Sequence, residues 1–122
     1  MKIKNDKAEV VEEVPLSGNV FKDKKAVNVS VSQAKELIKT NKDLLILDTR
    51  SKAEYRTGHI EGAIIIPYNK LEMNLDELDG YEDKPILVYC LTGSRSAVAV
   101  NTLIENGFNK IYHMNRGYTK WK

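Results

Sequence analysis

The sequence holds a single cysteine, Cys90, and only two histidines, His59 and His113. One cysteine excludes an intramolecular disulfide framework and a zinc site built on several thiolates, and no metal site is expected. Charge of one sign is not in excess: 19 basic and 17 acidic residues leave a formal net charge of +2. That balance points to neither a nucleic acid nor a membrane surface as partner. No apolar run reaches transmembrane length, and Met1 to Lys25 lacks the apolar stretch of a signal peptide. The expectation is a cytoplasmic monomer without a membrane span; the alternative is an exported mature form whose signal has been removed. Repeats and low-complexity blocks are also missing. What remains is a chain of 122 residues with ordinary composition, enough for one domain with its own core.

Residues 1–26 are polar and charge-mixed, interrupted by Pro15 and Ser17-Gly18, and read as a flexible tail or linker. The alternative there is an extra strand around Glu9 to Val14. Residues 27–122 carry the pattern of a domain. Ser32 is expected to cap a helix that runs to Asn41, with Ala34, Leu37 and Ile38 at helical spacing. Leu44 to Leu47 is a continuous apolar run ending at Asp48, which reads as a strand covered on both faces. Ser51 to Arg56 reads as a short helix stopped by Gly58, and Ala63 to Ile66 as a second buried strand closed by Pro67. Leu71 to Leu78 is a weak helix. Ile86 to Tyr89 is a third buried strand that ends at Cys90. Ser94 to Asn106 is helical, with Gly107 placed to end it. Lys110 to His113 is a fourth strand, and Tyr118 to Trp121 starts a last helix. Apolar strands alternating with helices give an α/β fold class: a central, mostly parallel sheet flanked by helices on both faces. In such sheets ligands bind beyond the carboxyl ends of the strands, where Cys90 sits.

The segment Tyr89-Cys90-Leu91-Thr92-Gly93-Ser94-Arg95-Ser96 carries the chemistry. A strand delivers a thiol to a loop that runs straight into a helix. The helix start exposes N–H groups without intrahelical partners, and its dipole is positive at that end. If the loop curls around the sulfur, its amides form an anion-binding nest. Gly93 supplies the backbone freedom for that curl, and Arg95 adds a full charge. A free thiol titrates near about 8.5, and such surroundings bring it below about 7.5. A drop of about two units requires about 2.7 kcal/mol of preference for the thiolate. One or two hydrogen bonds to a charged group supply that, at about 1.5–3 kcal/mol each. The same cradle suits an anionic substrate, a sulfur donor such as thiosulfate or a phosphate-like oxyanion, docked on the amides and Arg95. Residues 91–96 (Leu91, Thr92, Gly93, Ser94, Arg95 and Ser96) therefore form the expected substrate-binding loop, with Cys90 and Arg95 as catalytic residues. The expected chemistry is covalent and two-step, through a persulfide on Cys90, and uses no metal or organic cofactor.

Three motifs in this order resemble the rhodanese-like family across Val27 to Trp121. Leu45-Ile46-Leu47-Asp48-Thr49-Arg50 with Glu54-Tyr55 is similar to its first signature, and Gly58-His59-Ile60-Glu61-Gly62-Ala63-Ile64 with Pro67 to its second. Cys90 to Ser96 is similar to its active-site loop. The resemblance implies a sulfurtransferase, because the Arg falls five positions after the Cys. Phosphatase relatives carry it one position later, which makes a phosphatase or arsenate reductase the less favoured alternative. It implies a small anionic sulfur donor, and either a thiol or cyanide acceptor or a protein partner in a sulfur relay. Thiosulfate-selective members often carry basic residues just after the Cys. Here Leu91 and Thr92 are neutral, which motivates the relay or binding-module alternative. A Gly-Gly pair common near the family's end is Arg116-Gly117 here, with Arg116 a candidate for the site's mouth.

The remaining polar residues read as support. Asp48 and Arg50 are expected to pair and hydrogen-bond, holding the strand end and loop, with Glu54 a candidate carboxylate partner for Arg50. His59, in a Gly-rich turn, is expected to satisfy backbone groups rather than to act as a base. His113 reads as core or rim, and Tyr112, Met114 and Tyr118 as packing. Lys22, Lys24 and Lys25 read as a solvated cluster.

Overall fold

The computed structural model describes residues 20–121. Its elements are β1 (Ala26–Asn28), α1 (Val31–Thr40), β2 (Leu45–Asp48), α2 (Lys52–Thr57), β3 (Ile64–Ile65), β4 (Ile86–Tyr89), α3 (Ser94–Glu105) and β5 (Ile111–His113). The strands form one five-stranded parallel sheet in the order β1-β5-β4-β2-β3. No helix among the described residues is long and apolar enough to cross a membrane.

Strand side chains alternate between two cores, as the period of two demands. Ile46, Leu87, Tyr89 and Tyr112 face Ala34 and Leu37 of α1 and Tyr55 of α2. Leu47, Ile86, Val88 and Ile111 face Ala99, Val100 and Leu103 of α3. Helices therefore cover both faces of the sheet. All four residues of β4 are fully buried, the pattern of a central parallel strand.

Two serines open helices through reciprocal capping boxes. Ser30 accepts the Gln33 amide at 3.1 Å while Gln33 Oε1 accepts the Ser30 amide at 3.0 Å. Ser51 and Glu54 repeat this at 3.1 and 2.9 Å. The cap of α1 is thus Ser30 and not the expected Ser32, because only Ser30 has a Gln three residues on.

Other expectations shift as well. The boundary at 26/27 falls inside β1, and Phe21 is buried against Tyr112 with ring centroids 5.0 Å apart. The fold thus takes in residues ahead of Val27; the rest of the expected tail, residues 1–19 with the alternative strand at Glu9 to Val14, lies outside the described residues. β1 is a fifth strand that the apolar pattern did not reveal, being three residues long and only partly buried. The expected strand at Ala63 to Ile66 pairs only through Ile64–Ile65. The expected helix at Leu71 to Leu78 is 3-10 in character, and so is the short turn Tyr118–Lys120. Asn74 breaks the former with φ −125° and ψ 25°.

Chain order reverses between β2 and β4. From β2 the chain goes outward to β3 at one edge, then returns past β2 to β4 and on to β5. The crevice at the carboxyl ends of β2 and β4 is the switch point where such sheets bind ligands.

Candidate active site

β4 ends at the switch point and hands its chain to Cys90, Leu91, Thr92 and Gly93 before α3 begins at Ser94. Two of the loop's carbonyls are held from behind. Tyr118 donates its amide to Cys90 O at 2.8 Å, and Thr119 donates to Leu91 O at 3.1 Å. With these carbonyls turned to the 117–119 segment, the following amides are free to turn the other way. Gly93 adopts φ 111°, where a Cβ would stand 2.2 Å from Asn115 O. Gly117, at φ 80°, is pressed as closely on Leu91 O. Both positions require glycine for conformation and for space.

The result is a cradle around the sulfur. Cys90 is 0% exposed, and the Gly93 amide donates to its Sγ at 3.0 Å. Burial is the largest influence on the thiol and pushes it up. The polar groups of the loop, Ser96 first and then Gly93 and Thr92, outweigh burial, so the thiol lies below its ordinary value. The sulfur is therefore enclosed by donors rather than by hydrocarbon.

Arg95 lies one turn into the feature, but its guanidinium is engaged. Nη1 and Nη2 donate to the two carboxylate oxygens of Glu54 at 2.8 and 3.0 Å. The Arg95 bond holds Glu54 at about 2, below the usual carboxylate range, and the Ser51 amide adds to that. The bond to Glu54 in turn raises Arg95 above its ordinary value, and the charge of Cys90 adds to that. Glu54 thus closes the α2 capping box and anchors the start of α3 at once. The candidate Arg50–Glu54 pair does not form, while the expected Asp48–Arg50 pairing does. Arg50 instead grips Asp48, with Nη2 at 2.7 Å and Nε at 3.0 and 3.1 Å from the carboxylate oxygens. Tyr89 donates its hydroxyl to Asp48 at 2.8 Å, and Arg50 donates to Gly58 O at 2.7 Å. Asp48 and Arg50 follow each other closely at the strand end, so their pairing costs less chain ordering than a pair across α2.

The other expected residues distribute as follows. Gly93 and Ser96 are buried in the loop, Leu91 and Arg95 are half-buried, and Thr92 and Ser94 are exposed. His59 stacks on Tyr55 at 3.6 Å and donates through Nδ1 to Tyr55 O at 2.7 Å. It holds its own turn. A cleft of about 490 Å³ opens beside the cradle, walled by residues 49–52 after β2, 67–70 after β3, and Arg95.

One residue at the site was read from the sequence only as core or rim. His113 Nε2 lies 2.6 Å from Ser96 Oγ. Its register carried the signal: His113 pairs with Val88 in the parallel ladder and so faces α3 with it. The ladder was not predictable without the strand order.

The geometry is that of a parallel α/β domain with a lone cysteine held in a polar loop at its switch point. The model of the rhodanese-like domain matches residues 30–122. Thiosulfate sulfurtransferase GlpE of Coxiella burnetii is 34% identical over 94 residues, covering 77% of this chain and 85% of its own. YrkF of Bacillus subtilis, a candidate sulfur carrier by name, is 32% identical over 93 residues, covering 76% of this chain and 49% of its own. A crystal structure of a rhodanese-related protein from Thermoplasma volcanium superposes with a TM-score of 0.65 at 31% identity, covering 80% of this chain and 89% of that one. The chain belongs to the rhodanese-like family, and its relatives include thiosulfate sulfurtransferases.

Proposed function

We propose that the protein moves sulfane sulfur through a persulfide on Cys90. The observation that carries this is the polar loop around the sulfur, with the Gly93 N–H on Sγ at 3.0 Å and the thiol held below its ordinary value. With thiosulfate as donor, the Cys90 thiolate attacks the sulfane sulfur. A Cys–S bond forms, the bond to the sulfite sulfur breaks, and sulfite leaves with the electron pair. A thiolate or cyanide then attacks the outer sulfur, and Cys90 departs as thiolate, stabilised by the same donors. Every electron pair stays on sulfur or on the acceptor, so the reaction uses no cofactor. The loop residues 91–96 position the donor, while Asp48, Arg50, Glu54 and His59 support the surrounding turns.

Initial rates with thiosulfate and cyanide varied together test this reading. It expects parallel double-reciprocal lines and loss of turnover in Cys90→Ser. Intersecting lines, or turnover that survives that variant, contradict it. A relay role is the second reading. The neutral Leu91 and Thr92 favour it, and the relative YrkF bears a sulfur-carrier name. It expects slow thiosulfate turnover but fast persulfide formation from a protein persulfide donor.

A further inference from the structure

His113 is a buried titratable group for which sulfur transfer assigns no task. It lies at the end of β5, 8% exposed, with Nε2 2.6 Å from Ser96 Oγ. Ser96 is fully buried in the first turn of α3. Its hydroxyl has Gly93 O in reach at 3.1 Å, and it is the group that does most to lower the Cys90 thiol. A serine hydroxyl has one proton and two lone pairs. Three neighbours therefore share one donor, and the tautomer of His113 decides the allocation.

We propose that His113 is a positioning residue that donates its Nε2–H to Ser96 Oγ, releasing the single Ser96 proton to the Cys90 sulfur. Three observations support this direction. Burial drives the His113 ring down to about 4, so near neutrality it is uncharged and carries one N–H. Gly93 O already accepts the Ala97 amide at 3.0 Å, so it has less call on the hydroxyl. The thiolate is the strongest acceptor in reach, and a charge-assisted bond to it is roughly twice as strong as a neutral one. In the opposite tautomer Ser96 would spend its proton on His113, and the sulfur would lose a donor. A chain His113 N–H to Ser96 O–H to sulfur also polarises in one sense along its length. Arg95 is the charged side chain whose field couples to the sulfur; it is common to every variant below. The inference deepens the function proposed above and rests on Cys90 as the sulfur carrier, but its test reads the thiolate directly.

Because Cys90 is the only cysteine, ultraviolet thiolate absorbance, with Cys90→Ser as blank, reports this one group. At a fixed pH on the acid side of the transition, Ser96→Ala should lower the thiolate fraction about tenfold, the effect of one lost hydrogen bond to a charge. His113→Phe should lower it several-fold, and His113→Gln, which keeps an N–H donor, should restore most of it. The double variant Ser96→Ala, His113→Phe should match Ser96→Ala alone, since His113 acts through Ser96. An unchanged thiolate fraction in His113→Phe, or independent effects in the double variant, overturns the proposal. Ring nitrogen shifts of the wild-type protein give a reading that needs no variant: Nε2 protonated supports it, and Nδ1 protonated overturns it. A protein that titrates as described yet takes sulfur from no donor would overturn the sulfur-carrying function while supporting the positioning role.

Discussion

The two arginines of the site differ in burial, and burial sets what each contributes. The Arg50 and Asp48 side chains are 3% and 0% exposed, whereas Arg95 and Glu54 are each 30% exposed. Removing one partner of a buried pair strands a charge, so Asp48→Ala should cost about 3–5 kcal/mol in urea unfolding. Glu54→Gln should cost only about 1 kcal/mol, the scale of exposed pairs. Acid stability should fall in two windows. The unfolded chain protonates His113 near 6.5 and the folded one only at about 4. The stability from keeping it neutral is full above 6.5 and lost as pH falls toward 4, at most about 3 kcal/mol. Glu54 titrates at 4.5 unfolded and about 2 folded, so its contribution is lost between those values. Unfolding measured over a pH series should show the upper window flattened in His113→Gln. At this scale the sequence identified Cys90, Gly93, Arg95 and Ser96 as neighbours because they are contiguous. It anticipated the local Asp48–Arg50 pairing, but it also offered Glu54 to Arg50 and read His113 only as core or rim, because the contacts of Glu54 and His113 depend on which elements lie side by side.

At the scale of elements, the loop after β4 keeps its shape through a brace rather than through its own bonds. The 115–119 segment presses on it at Gly93 and Gly117, each with room for a hydrogen but not a methyl. Gly117→Ala should therefore distort the cradle, raise the Cys90 titration point and cost more than the about 1–3 kcal/mol of backbone strain alone. Gly80, at φ 93° with nothing within 4 Å of where a Cβ would stand, is the control. Gly80→Ala should show the strain cost and leave Cys90 titration unchanged. Helices α1 to α3 and strands β2 to β5 were legible from apolar period and punctuation. β1 was not, since three partly buried residues give no pattern to read, and the brace was not, since it joins segments about 25 positions apart.

At the scale of the whole molecule, strand order does the work of assembly. β4 lies between β2 and β5, so three strand ends deliver Thr49 and Arg50, Cys90, and His113 to one edge of the sheet. Thr49 ties two of those ends together, donating its amide and hydroxyl to Tyr89 O at 2.9 Å each. Parallel α/β architecture follows from the alternation of apolar runs and helices, so the class and the place of Cys90 at a strand end were readable in advance. The permutation of strands was not, because apolar period records which residues are buried and not which neighbour buries them. Intact mass of the protein after exposure to a sulfane donor tests the central claim most directly. A gain of one sulfur atom is predicted, absent in Cys90→Ser and removed by a thiol acceptor. An unchanged mass with both thiosulfate and a protein persulfide donor would contradict it.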